Sequence, residues 1–197
     1  MSVNNAIGGQ SSIYFPGGAF LTSGTMTGLL PAGSDATVIT VAKPEVATAL
    51  GDIRAILDLE PTTTTTNQAI SLFHYVNATV GPPGQMTFRV VSGNTDAKGN
   101  YGDFPTAHVL IGRHTLARRD LYVDGKLIGS STVPVLASQQ LGANFLRLGG
   151  LFNPNPYGFQ GELGDTLIWP RALSNAEINR VTQYLSGKYQ IPVTALP

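Results

Sequence analysis

Short apolar and β-branched runs of strand character recur along most of the chain, some with polar residues interleaved, as suits extended segments whose successive side chains point to opposite faces. About ten such runs are separated by turn residues. They are SIYF (12–15), TVITVA (37–42), IRAILDL (53–59), AISLFHYV (69–76), QMTFRVV (85–91), AHVLIG (107–112), DLYVD (120–124), KLIGS (126–130), NFLRLG (144–149) and ELGDTLIW (162–169). Their number and spacing predict an all-β sandwich or barrel. Asp124-Gly125, inside LYVDGKLIGS, predicts a two-residue hairpin of the mirror type, because both central residues of that turn need positive φ. The threonine run 62–66 after Pro61 is predicted as a loop.

The period changes to 3.6 once, in LSNAEINRVTQYLSGKY (173–189). Ser174 is placed as N-cap with Glu177 three residues on, a capping box, and Leu173 can staple onto Ile178. Ile178, Val181, Tyr184 and Leu185 are predicted to form the buried face, with Gly187 ending the helix. One amphipathic helix added to many strands must bury that face on a sheet. Residues 1–10 and 190–197 show no period and are expected as arms around a single sandwich domain at 11–189.

Composition narrows the function classes. The 197 residues carry 12 basic and 12 acidic side chains, only 12% charged in all, so no basic surface is expected to neutralise nucleic-acid phosphates or anionic lipid. The absence of cysteine excludes disulfides, thiolate metal sites and cysteine nucleophiles. The start, MSVNNAIGGQSS, has neither the basic nor the apolar region of an export signal, and no apolar run approaches the roughly 20 residues that span a bilayer.

From Arg118 on, RRDLYVDGKLIGSS, NFLRLGG and GFQGELGDTLIWPRALSNAEINRVTQYLSGKY resemble, in order and spacing, the C-terminal half of a laminin G-like domain of the concanavalin A-like lectin/glucanase superfamily. SSIYFPGGAFLTSG and ATVITVAKP are similar to that family's opening strands. The resemblance implies a concanavalin A-like jelly-roll sandwich of two antiparallel sheets with one short C-terminal amphipathic helix. It implies far less about activity, because this fold carries glycan binding, adhesion, capsid and tail building and, in some branches, glycoside cleavage.

Glu162 and Asp165 in GELGDTLIW are three apart, which on a regular strand sends them to opposite faces unless a bulge at Gly164 re-aims one. Glycoside hydrolysis needs two carboxyls flanking one bond, so no catalytic residue is assigned. His108 and His114 would share a strand face about 20 Å apart, too far for one metal. His74 is expected inside the sandwich. No cofactor is expected, with calcium as the one ion considered: Asn94, Asp96, Asn100 and Asp103 in SGNTDAKGNYGDF partly mimic a calcium loop, although Lys98 stands where a ligand belongs. Glycan recognition would favour aromatic and amide residues in rim loops, and the candidates are Tyr101, Asn153, Asn155 and Tyr157. Arg118 and Arg119 are expected as a solvated pair, and Trp169 as packing against the helix.

The reading ranked first is a non-enzymatic structural or adhesion module. The resembled family acts mostly outside cells, while this chain shows no export signal and no cysteine. A phage virion component (capsid decoration, tail or fibre protein), made in the host cytoplasm and docking on other virion proteins through its arms or loops, reconciles the two. The alternative is a carbohydrate-binding module attaching to a receptor or cell-wall glycan, and a glycoside hydrolase ranks third. A homo-oligomer is compatible with the open sheet edges.

Overall fold

Strands dominate because the period-two runs bury one face against a second sheet. The structure, a computed structural model, describes residues 2–45, 53–61, 69–75, 84–90, 96–101, 105–136, 142–151 and 157–197. The strands are β1 (Ser2–Ile7), β2 (Gln10–Pro16), β3 (Leu21–Thr22), β4 (Ala36–Pro44), β5 (Ile53–Glu60), β6 (Ile70–Tyr75) and β7 (Gln85–Val90). They continue as β8 (Ala97–Asn100), β9 (His108–Thr115), β10 (Arg118–Val123), β11 (Lys126–Ser131), β12 (Phe145–Leu148) and β13 (Gln160–Trp169). All named pairings are antiparallel, in a seven-stranded sheet ordered β1-β2-β13-β4-β9-β10-β11 and a six-stranded sheet ordered β3-β12-β5-β6-β7-β8. This is the two-sheet jelly-roll sandwich that the sequence resemblance implies. The threonine run 62–66 lies outside the described residues.

The inner faces meet in one core, with Phe15, Val38, Leu57, Leu59, Leu72, Phe88, Leu110, Leu121, Phe159 and Leu163 buried in it. Phe15 and Phe159 pack edge to face at 6.2 Å between centroids, a favoured aromatic arrangement. A second cluster lies on the outer face of the seven-stranded sheet, where Ile39 and Val41 of β4 and Val109 and Ile111 of β9 receive the helix. Strand β4 is therefore covered on both sides, which explains why TVITVA is apolar or β-branched at every position rather than alternating.

Helix α1 (Asn175–Tyr189) starts at the predicted capping box: Ser174 accepts from the Glu177 amide, and the Glu177 carboxylate accepts from the Ser174 amide at 2.9 Å. Its buried face differs from the period-based expectation. Ile178 and Leu185 are buried as expected, but Thr182 and Tyr189 complete the face, Val181 is half-buried and Tyr184 is 61% exposed. Gly187 is not the terminator. The helix runs through it to Gln190, which takes the left-handed conformation at φ 56°. Extending the helix brings Tyr189 under the sheet, and burial of that large ring outweighs the preference for glycine at the cap.

Both ends expected as arms are built into the fold. Residues 2–7 form edge strand β1 on β2, with Ile7 in the helix cluster. After Gln190, Ile191 and Leu196 are buried in that cluster, and the backbone of Leu196 exchanges two hydrogen bonds with the Asn179 side chain. The tail then reaches the β10–β11 hairpin, where the Thr194 amide donates to the Asp124 carbonyl at 2.8 Å. That hairpin is the predicted mirror turn, with Asp124 at φ 51° and Gly125 at φ 79°. Arg119, expected in solvent, is buried and its guanidinium donates to the Ser131 hydroxyl and the Val133 carbonyl, while Arg118 binds Asp120 at 2.6 Å.

Candidate functional site

The hairpin, the tail and the end of β8 enclose a cleft of about 500 Å³ lined by Asn100, Tyr101, His108, Asp124, Lys126 and Thr194, among others. Each side chain is placed by a local cause. The mirror turn swings the Asp124 carboxylate back over β9, where Oδ1 accepts the Val109 amide at 2.8 Å and Oδ2 meets His108 Nδ1 at 2.6 Å. An ionised carboxylate only accepts, so Nδ1 carries the proton and the ring orientation is held from that side. Tyr101 packs edge-on against His108, with ring centroids 4.8 Å apart, and its ring is tilted against that of His74 at 6.4 Å. Burial, with the Asp124 charge adding to it, pushes the Tyr101 phenol well above its usual range, so it stays a neutral hydroxyl. Asn100 and Lys126 stand exposed at the mouth. Chemically the cleft offers an amide, an ammonium, a carboxylate and a hydroxyl around the apolar edges of Val123, Ile128 and Pro192.

Of the candidates read from the sequence, Tyr101 and Asn100 reach this cleft, but Tyr101 is 6% exposed and is a wall rather than an open platform. Tyr157 lies elsewhere, half-buried against Phe73, Tyr75 and Leu151 on the outer face of the six-stranded sheet. The structure thus separates the two tyrosines by a sheet. Asn153 and Asn155 lie outside the described residues, as do Asn94 and Asp103 of the calcium candidates. Asp96 does not fit a calcium ion: Arg89 holds both its oxygens, at 3.0 and 2.9 Å, and Lys98 stands 3.5 Å away. Among the described residues no three His, Asp or Glu side chains converge to hold a metal. His74 is inside the core beside Phe159, and its pKa is lowered to about 3 by burial, with Arg54 adding to it.

Glu162 and Asp165 need a correction. The register of β13 against β4 slips between Leu163 and Thr166, so a bulge does sit at Gly164 and Asp165. Leu163 points into the core and Glu162 away from it, where it accepts from the Ser12 hydroxyl at 2.7 Å. The extra residue turns Asp165 to the helix side as well: its carboxylate binds Lys188 at 2.7 Å and its amide donates to the Tyr189 hydroxyl. Both acids therefore face the helix layer. Each is engaged in holding a strand or the helix, and Glu162 is only 5% exposed.

A different acid pair escaped the sequence reading. Asp58 and Glu60 alternate in β5 and share the outer face of the six-stranded sheet, both buried. Asp58 accepts from the Ser71 hydroxyl at 2.6 Å, and Glu60 binds Arg147 at 3.1 Å. Burial, then the hydrogen bond with Glu60, raises Asp58 well above the usual carboxylate range. The i, i+2 spacing in LDLE was the available signal. Its burial gives a substrate no approach, and its contacts tie β5 to β6 and β12.

The comparisons with known proteins bear on the fold. The family model described as the concanavalin A-like lectin/glucanases superfamily matches residues 8–179. The chain belongs to that superfamily. No curated protein matches it in sequence. Among solved structures, the superfamily domain is similar to the CBM40 of the Ruminococcus gnavus IT-sialidase bound to α2,3-sialyllactose, with TM-score 0.62, 16% identity, and 87% of this chain and 95% of that one covered. It is similar to the heptameric SAP-like pentraxin of Limulus polyphemus, with TM-score 0.67, 18% identity and coverages of 87% and 81%. It also matches Trypanosoma rangeli sialidase at TM-score 0.61 and 13% identity, over 90% of this chain but only 27% of that one. At such identities the likeness concerns the fold of this superfamily member.

Proposed function

We propose that this domain is a non-catalytic carbohydrate-binding module whose ligand seats in the cleft between the Asp124-Gly125 hairpin, β8 and the C-terminal tail. The observation that carries the reading is the mixed lining. Asn100, Asp124, Lys126 and Thr194 supply donors and acceptors for hydroxyls, and Val123, Ile128 and Pro192 supply apolar edges for the C–H faces of a sugar ring. The CBM40 and pentraxin folds support it by likeness. The virion reading expected docking through arms or loops, and residues 2–7 and 190–197 are packed into this domain instead of forming arms. Hydrolysis lacks support because Asp58 with Glu60, and Glu162 with Asp165, are committed to structural contacts.

A glycan array with the purified protein, followed by calorimetry on its hits, tests the proposal. Asn100→Ala and Lys126→Ala alter exposed side chains and are expected to fold normally while weakening binding about tenfold each, the value of one lost hydrogen bond. Silence across the array overturns the reading. Binding lost only on Tyr157→Ala moves the site to the outer face of the six-stranded sheet.

A further inference from the structure

Arg54 carries a buried charge whose guanidinium finds no partner among the described side chains. It is 1% exposed, and none of its three guanidinium nitrogens has a hydrogen-bond partner. Arginine keeps its proton in proteins, so it cannot escape the cost of burial by neutralising itself. The carboxylates on its own strand, Asp58 and Glu60, cannot help. The register pairs Arg54 with His74, which points into the sandwich beside Phe159 and Tyr101, whereas Asp58 pairs with Ser71 on the opposite face. His74 is held neutral and offers no negative charge. A bare guanidinium in a sandwich interior is a strong donor fork without an acceptor.

We infer that Arg54 is the centre of a binding site for a small monovalent anion, a halide or a simple carboxylate, held between the two sheets beside His74. The site lies behind Tyr101, whose ring touches both His74 and the cleft-lining His108, so it adjoins the cleft without sharing its polar mouth. The ligand neutralises the guanidinium and stabilises the folded state by mass action, since an unfolded chain offers it no such site. The inference does not rest on the glycan-binding proposal.

Thermal unfolding of the full chain is measured against bromide, acetate and sulfate at constant ionic strength, balanced with a bulky morpholine sulfonate. Saturable upward shifts of about 5–10 °C are expected with bromide or acetate between concentrations far below and a hundredfold above Kd. Whichever of the two shifts the midpoint at lower concentration identifies the preferred anion class, and sulfate should shift it no more than the sulfonate does. Arg54→Met is expected to lose the anion dependence and to melt no lower than the wild type in anion-free buffer, because the uncompensated charge is gone. A crystal soaked in bromide should show an anomalous peak at the guanidinium, a readout independent of any variant. Equal shifts in wild type and Arg54→Met, or no bromide peak, overturn the site. Asp52, outside the described residues, precedes Arg54 by two positions. Anion dependence that appears only in Asp52→Asn would make the chain's own carboxylate the counter-ion and equally overturn it.

Discussion

Gly125→Ala is expected to lower the unfolding free energy by about 2–5 kcal/mol, combining a left-handed backbone penalty with overpacking. Gly125 sits at φ 79°, where an L side chain is strained. A Cβ there would also collide with the Thr194 carbonyl oxygen, so the tail must leave the hairpin. Its departure exposes Ile191 and Leu196, both buried in the helix cluster, and removes one wall of the cleft. Chemical denaturation reads the stability loss, and limited proteolysis after residue 190 reads the detached tail. A variant that keeps both wild-type stability and a protected tail would show that the hairpin and tail are not coupled. Glycan affinity should fall with the tail, because Pro192 and Thr194 line the site.

Arg147→Met is expected to cost about 3–5 kcal/mol at pH 8, because it strands a buried Glu60 beside Asp58. The guanidinium of Arg147 binds Glu60, lies 4.6 Å above the Phe20 ring and reaches the Leu151 carbonyl. The penalty should shrink as the pH falls and the stranded carboxyl takes up a proton. The wild type itself has a predictable slope. Asp58 keeps its proton when folded at a pH where the unfolded chain has lost it, so its contribution is complete below the unfolded value of about 4 and is lost as pH rises through the raised folded value. His74 has the opposite sign: its folded value of about 3 means stability that is complete above about 6.5 and lost as pH falls toward 3. Above about 6.5 the His74 contribution is constant and does not obscure the slope of Asp58. As pH rises from the unfolded carboxylate value of about 4, wild-type stability should fall relative to that of Asp58→Asn, which imitates the protonated acid. Parallel curves for the two proteins would show that Asp58 carries no proton in the folded state at a pH where the unfolded chain has lost it.

Local chemistry and period were enough for the strands from SIYF to ELGDTLIW, the mirror turn at Asp124-Gly125 and the capped start of α1. Each of these depends on residues within a few positions of one another, which is why a single chain reports them. The short β3 and β8 and the uncharged SVNNAI of β1 carry little pattern of their own, and they are strands because a neighbour's edge is there to pair with. The helix face and its end were decided the same way. Period alone favoured Tyr184 and a stop at Gly187, while the sheet beneath selected Thr182 and Tyr189.

The site divides along the same line. Tyr101 was legible as an aromatic candidate for glycan contact and Asn100 only as a calcium candidate, and their partners His108, Asp124, Lys126 and Thr194 come from β9, the hairpin and the tail. No spacing in the chain announces that meeting. In GELGDTLIW, regular strand geometry separated Glu162 from Asp165, and a bulge braced by Lys188 and Tyr189 put both on the helix side. In LDLE the alternation of Asp58 and Glu60 was present in the letters, yet its burial and its link to Arg147 exist only when β12 lies beside β5. The sequence by itself determined the all-β class, because short apolar runs between turns are a local demand repeated along the chain, and its resemblance to a known family implied the sandwich. The tertiary structure alone decided which charges meet and which stand unanswered, because those energies depend on distance and burial between residues far apart in sequence.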